Sequence, residues 1–157
     1  LNDSQEQGQK KPLVGVDLSI LPENELPMWE EIIQGIQDFG VKVVIFKSAA
    51  QGINMNHGAI MCERDGEKTY YPIDIMLLPS AKLLNQAFAN ISVPVTFKDG
   101  EKTVDYDPVA EKGNGFYFSN KNKWEIFATV IRAVESYKFP YDWKNLLREI
   151  YKQTNLN

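Results

Sequence analysis

Apolar residues in this chain follow two patterns that predict alternating strands and helices. Short apolar runs without alternation are typical of strands buried on both faces of a parallel sheet, and they occur at residues 12–17, 41–46, 73–78, 93–97 and 115–118. Apolar spacings of three and four predict helices with one buried face, at residues 28–39, 83–90, 122–138 and 141–153. Residues 60–71 fit either a small hairpin around Asp65-Gly66 or a shortened helix and strand.

The helix at residues 122–138 carries a clear apolar stripe. We expect its buried face to comprise Trp124, Phe127, Ala128, Ile131, Val134 and Tyr137. This face should pack on Leu146 and Ile150 of the following helix. If Trp124 is buried there, its replacement by alanine should cost about 3–5 kcal/mol.

The order of elements predicts a single α/β domain. We expect an open, mainly parallel sheet of about five or six strands, with helices on both faces and two helices at the carboxyl end. The chain of 157 residues is long enough for one such domain, which we place at residues 12–157. Residues 1–11 are polar and rich in glutamine, and we expect a flexible tail or a linker from a preceding domain.

Composition restricts the partners of the protein. The formal net charge is −4 and no basic stripe is visible, which argues against a nucleic-acid partner. No apolar run approaches the roughly 18 residues of a membrane span. The single cysteine, Cys62, excludes an internal disulfide and a cysteine metal cluster, and it fits a cytoplasmic location. We expect no cofactor and no metal.

Several polar residues between the second and third main strands have a functional and a structural interpretation. His57 could act as an acid or base and Cys62 as a nucleophile, while Glu63, Asp65 and Glu67 resemble a sparse metal loop. No carboxylate lies within a few residues of His57, Cys62 lies in an apolar run, and the calcium-loop spacing is incomplete. We therefore expect an exposed histidine, a buried inert thiol and a solvated turn.

The most informative stretch is residues 74–88, where an apolar run ends at Pro79-Ser80 and turns into a helix. Ligands of open α/β sheets bind outside the carboxyl ends of such strands, so a small-molecule site is expected at residues 79–84. Ser80, Asn85 and Gln86 are candidate ligand contacts there. The alternative is structural, because Ser80 or Asn85 can accept hydrogen bonds from the free amides of a helix start.

This stretch resembles the Pro-Ser loop of the glycogen and starch synthases, retaining glycosyltransferases built from two Rossmann-like halves (the GT-B fold). In that family the strand reads roughly A-D-I-x-L-x-P-S and continues R-x-E-P-C-G-L-N-Q. Eight residues fit this pattern: Asp74, Ile75, Leu77, Pro79, Ser80, Leu84, Asn85 and Gln86. The Glu-Pro-Cys-Gly segment is missing, and Ala81-Lys82-Leu83 stands in its place.

Further matches occur in the family's order. Residues 93–95 match its I-P-V strand, residues 102–105 lie where it has D-T-V, and residues 113–118 match G-T-G-F-x-F. The last two helices, with Trp143 in the second, match its A-L-x-R-A-L…W pattern. The resemblance implies the C-terminal, donor-binding half of a GT-B enzyme, and it adds Gly100 and Thr103 to the candidate substrate-binding residues.

The donor-binding motifs of that family are not kept. Its S-R-L-x-x-Q-K-G loop supplies an Arg and a Lys to the donor phosphates, whereas residues 18–25 here contain no basic residue. Glu23 and Glu25 would repel a diphosphate, and the family's Glu that meets the donor sugar is absent. The resemblance therefore predicts a domain without catalytic residues that has lost nucleotide-sugar binding and acts as a structural or interaction module, partnered by an N-terminal GT-B half or another protein.

Two alternatives stay open. The chain could be the half that binds ADP-glucose or UDP-glucose in a glucosyltransferase, completed by an N-terminal domain outside this sequence. It could instead be a carbohydrate-binding module for an α-glucan, whose aromatic side chains stack on sugar rings. Core or edge packing is the competing role for these aromatic residues, which are Tyr70, Tyr71, Tyr106, Phe116, Tyr117 and Phe118.

Overall fold

The computed structural model describes residues 10–48, 51–53, 59–63 and 72–155. Six strands form one sheet: β1 (Val14–Asp17), β2 (Val43–Lys47), β3 (Ile60–Glu63), β4 (Ile75–Leu77), β5 (Val93–Phe97) and β6 (Phe116–Phe118). All neighbouring pairs are parallel, in the order β3-β2-β1-β4-β5-β6. This is the strand order of the Rossmann fold, and the predicted α/β class with a parallel sheet of five or six strands is confirmed.

Four α-helices are described: α1 (Leu26–Asp38), α2 (Leu84–Ala89), α3 (Lys123–Tyr137) and α4 (Pro140–Asn155). Short 3₁₀ turns precede the first two, at Glu23–Glu25 and Ala81–Leu83, and a third lies at Gly100–Lys102. Helix α1 begins two residues before the predicted start and has Pro27 in its first turn, where the missing amide removes no helical hydrogen bond.

Side chains of the strands alternate between two apolar clusters, as the period of a strand requires. Val43 and Ile45 of β2 belong to the larger cluster, with the buried residues of α1 and α3, while Val44 and Phe46 belong to the smaller one. Because both faces of the central strands are covered, their sequences are apolar throughout.

The buried face of α3 differs from the prediction, although Val134 is buried as expected. The buried apolar residues of this helix are Ile126, Val130, Ala133 and Val134, whereas Trp124 is 70% exposed. Two apolar stripes run along α3, and the one that begins at Ile126 packs on the sheet and α1. The predicted burial of Trp124 against α4 is therefore wrong.

The region between β2 and β4 is described only in part, so the choice between a hairpin and a shortened helix and strand is tested only in part. Strand β3 pairs in parallel with β2, from Val44↔Ile60 to Lys47↔Glu63. Cys62 is half-buried rather than buried. The rest of the proposed hairpin, like the amino-terminal tail up to residue 9, lies outside the described residues, and so do His57, Asp65, Glu67, Tyr70 and Tyr71.

Candidate functional site

The candidate site lies where the strand order reverses. Strand β1 has β2 on one side and β4 on the other, so the connections that follow these strands leave in opposite directions. The crevice outside the carboxyl ends of β1 and β4 is the usual ligand site of such a sheet. Three loops border this edge, at residues 18–25 after β1, 78–83 after β4 and 98–103 after β5.

The loop after β1 is held by specific hydrogen bonds. The amide of Leu18 donates to the carbonyl of Phe46 at 2.8 Å, and the amide of Ser19 donates to Asp17 Oδ1 at 2.9 Å. Gln51 joins this loop to the one after β2, because its Nε2 donates to the carbonyl of Leu18 at 2.7 Å. Gln51 was not singled out from the sequence.

Charge in this loop is negative. No lysine or arginine occurs between Lys11 and Lys42, and Asp17 is fully buried at the end of β1. Glu23 is exposed, and Glu25 forms an ion pair with Lys121 from the loop after β6. Lys121, which reaches the loop from elsewhere in the fold, is thus already paired with a carboxylate.

The loop after β4 forms the cap of a short turn. Ser80 Oγ accepts a hydrogen bond from the amide of Lys82 at 3.2 Å, so Ser80 has the structural role that was the alternative to ligand contact. Leu83 is buried in the smaller apolar cluster, and Lys82 stays exposed. Asn85 is exposed on the first turn of α2.

Ser80 and Asn85 lie together on the wall of an open depression of about 280 Å³. Its described lining residues are Ser80, Ala81, Lys82, Leu84, Asn85, Asp99 and Lys102. Asp99 and Lys102 were not predicted to be part of the site. The signal that could have found them is the sheet order, since β5 neighbours β4 and Asp99 follows the end of β5 by two residues.

The other three predicted residues have different positions. Thr103 Oγ1 accepts a hydrogen bond from the amide of Asp99 at 2.8 Å and so closes the loop in which Gly100 adopts φ +54°. Both residues therefore shape the wall that Asp99 and Lys102 form. Gln86 is half-buried and is not among the described lining residues; its side-chain oxygen is buried without a partner in the described part of the chain.

The aromatic residues near the end of the sheet pack inside the protein. Tyr106 donates its hydroxyl to Asp142 Oδ1 at 2.7 Å, and burial together with this bond raises the pKa of Tyr106 to about 12. Tyr117 donates to Asn114 Oδ1 at 2.7 Å, and burial raises its pKa as well. Phe116 and Phe118 are at most 2% exposed. None of these four forms an open platform for a sugar ring.

Two absences restrict the chemistry of the described residues. Within the described ranges, no group of three or more His, Cys, Asp or Glu side chains could hold a metal ion. Among the helices that the structure describes, none is long and apolar enough to cross a membrane.

Comparisons with known proteins agree with this geometry. No protein-family model matches the sequence. Glycogen synthase of Caldicellulosiruptor bescii is 25% identical over an alignment of 166 residues, covering 91% of this chain and 34% of that protein. Glycogen synthase of Bacillus anthracis is 29% identical over 97 residues, covering 55% of this chain and 20% of that protein. The chain thus spans about a fifth to a third of the length of these relatives.

A solved structure supports the same fold. It is a mutant of S. aureus TarM in complex with fondaparinux, alpha-GlcNAc-glycerol and UDP, which covers 94% of this chain with a TM-score of 0.53 and 14% identity. This chain covers 34% of TarM. The protein described here is a Rossmann-like α/β domain of the kind that forms one half of a GT-B glycosyltransferase. It is glycosyltransferase-like, and glycogen synthases are among the proteins related to it in sequence.

Proposed function

We propose that this domain does not bind a nucleotide-sugar donor and serves as a structural or interaction module of a glycosyltransferase-like protein. Its proposed partner is the N-terminal half of a GT-B fold or another protein. The parallel strand order is kept across the switch point, while the residues that would offset a diphosphate are absent from the loop after β1.

The observation that carries this proposal is the charge of that loop. In Rossmann folds the first βα turn is rich in glycine and brings the pyrophosphate to a helix N-terminus. Here the segment from Leu18 to Leu26 has no glycine and no cation, and it contains Glu23 and Glu25. A diphosphate would meet like charge, and Lys121, which reaches this loop from the one after β6, is paired with Glu25.

Several backbone amides of this loop are already used within the protein. The amides of Leu18, Ser19, Leu21 and Glu25 donate within the protein, and Pro22 has no N–H. Electrostatic stabilisation is usually the largest catalytic contribution, and removal of one well-placed donor typically costs about 100- to 1,000-fold in rate. The loss of both cations of the family's loop supports a domain without measurable glucosyl transfer.

One observation favours the alternative, a domain that binds ADP-glucose or UDP-glucose. Lys82 and Lys102 both line the depression beside Ser80 and Asn85, so two cations from other loops lie at the expected edge of the sheet. If these lysines bind the phosphates, the donor site lies at the ends of β4 and β5 and not, as in the resembling family, in the loop after β1. Asp99 in the same wall opposes such binding.

Calorimetric titration of the chain with UDP-glucose and ADP-glucose separates the two proposals. The proposed loss of the donor site predicts no heat beyond dilution at millimolar ligand. Donor binding that disappears in both Lys82→Ala and Lys102→Ala would establish the alternative instead. Both lysines are exposed, so these variants should keep the fold, which thermal unfolding verifies.

A further inference from the structure

An open pocket rimmed by three lysines lies at the amino end of the sheet, opposite the candidate donor site. Lys10 precedes β1, Lys138 follows the last turn of α3, and Lys144 lies near the start of α4. The pocket has a volume of about 400 Å³. Its floor is apolar and comprises Tyr137, Pro140, Trp143 and Leu147. We call this feature the lysine pocket.

The charge of the lysine pocket is unlike that of the rest of the molecule. The chain has a formal net charge of −4, and four other depressions each have at least one carboxylate in their lining. Among the described lining residues of the lysine pocket there are three cations and no carboxylate. An anionic ligand is therefore favoured there over a neutral or a cationic one.

The lysines are available to a ligand. All three are exposed, and within the described part of the chain neither Lys10 nor Lys144 forms an ion pair. Lys138 pairs with Glu135 at 3.1 Å, an exposed contact that a second carboxylate can share because an ammonium has three donors.

One other carboxylate acts near the floor of the pocket. Burial and the charge of Asp74 raise the pKa of Tyr137. Asp74 does not line the pocket, and its Oδ2 accepts the amide of Leu13 at 2.8 Å. This carboxylate is thus held by the backbone and leaves the lysines of the rim unpaired.

The arrangement of the cations favours a peptide over a phosphate. Phosphate recognition commonly uses the two-pronged guanidinium of arginine, and no arginine is among the described lining residues. The three lysines come from three separate segments around an apolar floor, so their charges are spread around the rim. A chain segment with several carboxylates and one apolar side chain matches both features, whereas a compact phosphate matches neither.

We propose that the lysine pocket binds an acidic peptide segment of a partner protein, with an apolar side chain on the floor and carboxylates at Lys10, Lys138 and Lys144. The inference rests on the proposed role as an interaction module and names the chemistry of the partner. The lysine pocket shares no lining residue with the depression at Ser80, so peptide binding and donor binding can be measured separately.

Fluorescence anisotropy with a labelled octapeptide of six glutamates, one leucine and one phenylalanine tests the proposal. The control peptide has glutamine in place of every glutamate. We expect the acidic peptide alone to bind, and its affinity to fall at least about fivefold between 0.1 and 1 M salt, because the screening length falls from about 10 to about 3 Å. Absence of binding at millimolar concentration, or equal binding of both peptides, would overturn the proposal.

Nuclear magnetic resonance locates the bound peptide. Of the three tryptophans, Trp143 lines the lysine pocket, whereas Trp29 and Trp124 do not. The indole N–H signal of Trp143 should therefore shift on addition of the acidic peptide, and the other two should stay unchanged. A shift of the Trp124 signal without one of Trp143 would place the peptide elsewhere and contradict the assignment.

Variants measure the contribution of the lysines. Lys10→Ala and Lys144→Ala should each weaken peptide binding about two- to fivefold, as expected for exposed charge pairs, and the double variant about tenfold. Lys152→Ala is the matched control, because it removes the same charge from α4 at a residue that pairs with Glu149 and does not line the pocket. Equal weakening by Lys152→Ala and Lys144→Ala would show that overall charge carries the binding, which refutes a defined site. Thermal unfolding verifies that the variants keep the fold.

Other anions serve as competitors. Displacement of the labelled peptide by tripolyphosphate at lower concentrations than by the unlabelled peptide would identify a phosphate site instead, and tighter binding to vesicles that contain phosphatidylserine would identify a membrane surface. Either result overturns the proposal. A chain that binds neither UDP-glucose nor the peptide would refute this inference alone. Binding of both would refute the proposed loss of the donor site and leave the peptide site standing.

Discussion

Replacement of Asn122 measures the contribution of a helix N-cap to stability. The side chain of Asn122 is exposed and accepts two hydrogen bonds at the start of α3. Asn122 Oδ1 accepts from the amide of Trp124 at 2.9 Å and from that of Glu125 at 3.2 Å. Replacement by alanine leaves these two amides without that acceptor and removes little buried surface. Loss of an N-cap of this kind costs about 1 kcal/mol, within a range of about 0.5–2.

The expected change in melting temperature follows from the size of the domain. For 157 residues the entropy of unfolding is about 0.3 kcal/mol/K, so Asn122→Ala should lower Tm by about 3 °C. Differential scanning calorimetry measures this shift. Asn122→Asp is the matched control, because it keeps the acceptor and adds a negative charge at a helix N-terminus, where charge of that sign is favourable. The reasoning fails if alanine and aspartate lower Tm equally, or if neither differs from asparagine.

Two further predictions concern burial and pH. Leu77→Ala should destabilise the domain by about 2–5 kcal/mol in urea unfolding, because Leu77 is fully buried in β4. Trp124→Ala should change the free energy of unfolding by less than about 0.5 kcal/mol, because Trp124 is exposed. A larger loss from Trp124→Ala than from Leu77→Ala would contradict the assigned face of α3. Tyr106 keeps its proton in the folded domain up to a pKa of about 12, while the unfolded chain releases it near 10. The contribution of Tyr106 to stability is therefore complete below pH 10 and is lost between pH 10 and 12. Tyr106→Phe should make that alkaline decline shallower, and an unchanged slope would refute the assignment.

The strands were the most predictable part of the fold. The sequence predicts β5 with its observed bounds, Val93–Phe97, and its predicted strand at 73–78 contains β4. The physical reason is that central parallel strands are covered on both faces, so an unbroken apolar run is required of them. Bounds of helices were less certain, as the early start of α1 at Leu26 shows, because a proline is tolerated in a first turn.

The orientation of α3 could not be predicted from its own sequence. Trp124, Phe127 and Ile131 follow helical spacing as well as Ile126, Val130 and Ala133 do. The packing of β6, α1 and the sheet decides which stripe is buried, and these contacts are distant in sequence. The stripe that begins at Trp124 is only partly outside the core, since Phe127 packs against the core while Trp124 stays exposed.

In the candidate site, too, some features can be predicted from the sequence and others depend on contacts between distant residues. The absence of cations from residues 18–25 is a property of composition, so the sequence reveals it directly. The ion pair of Glu25 with Lys121 joins residues 96 positions apart, and the approach of Lys102 to Ser80 depends on β4 and β5 being neighbours. Local patterns carry no information on such contacts until the sheet order is known.

The central claim, that the switch point does not receive a nucleotide sugar, is tested most directly by nuclear magnetic resonance. Amide spectra of the isotope-labelled chain would be recorded during titration with UDP-glucose and ADP-glucose. The account predicts that the amides of residues 18–25, 80–85 and 99–103 keep their chemical shifts at millimolar ligand. Saturable shifts confined to these three loops would contradict it and would identify the domain as a donor-binding half.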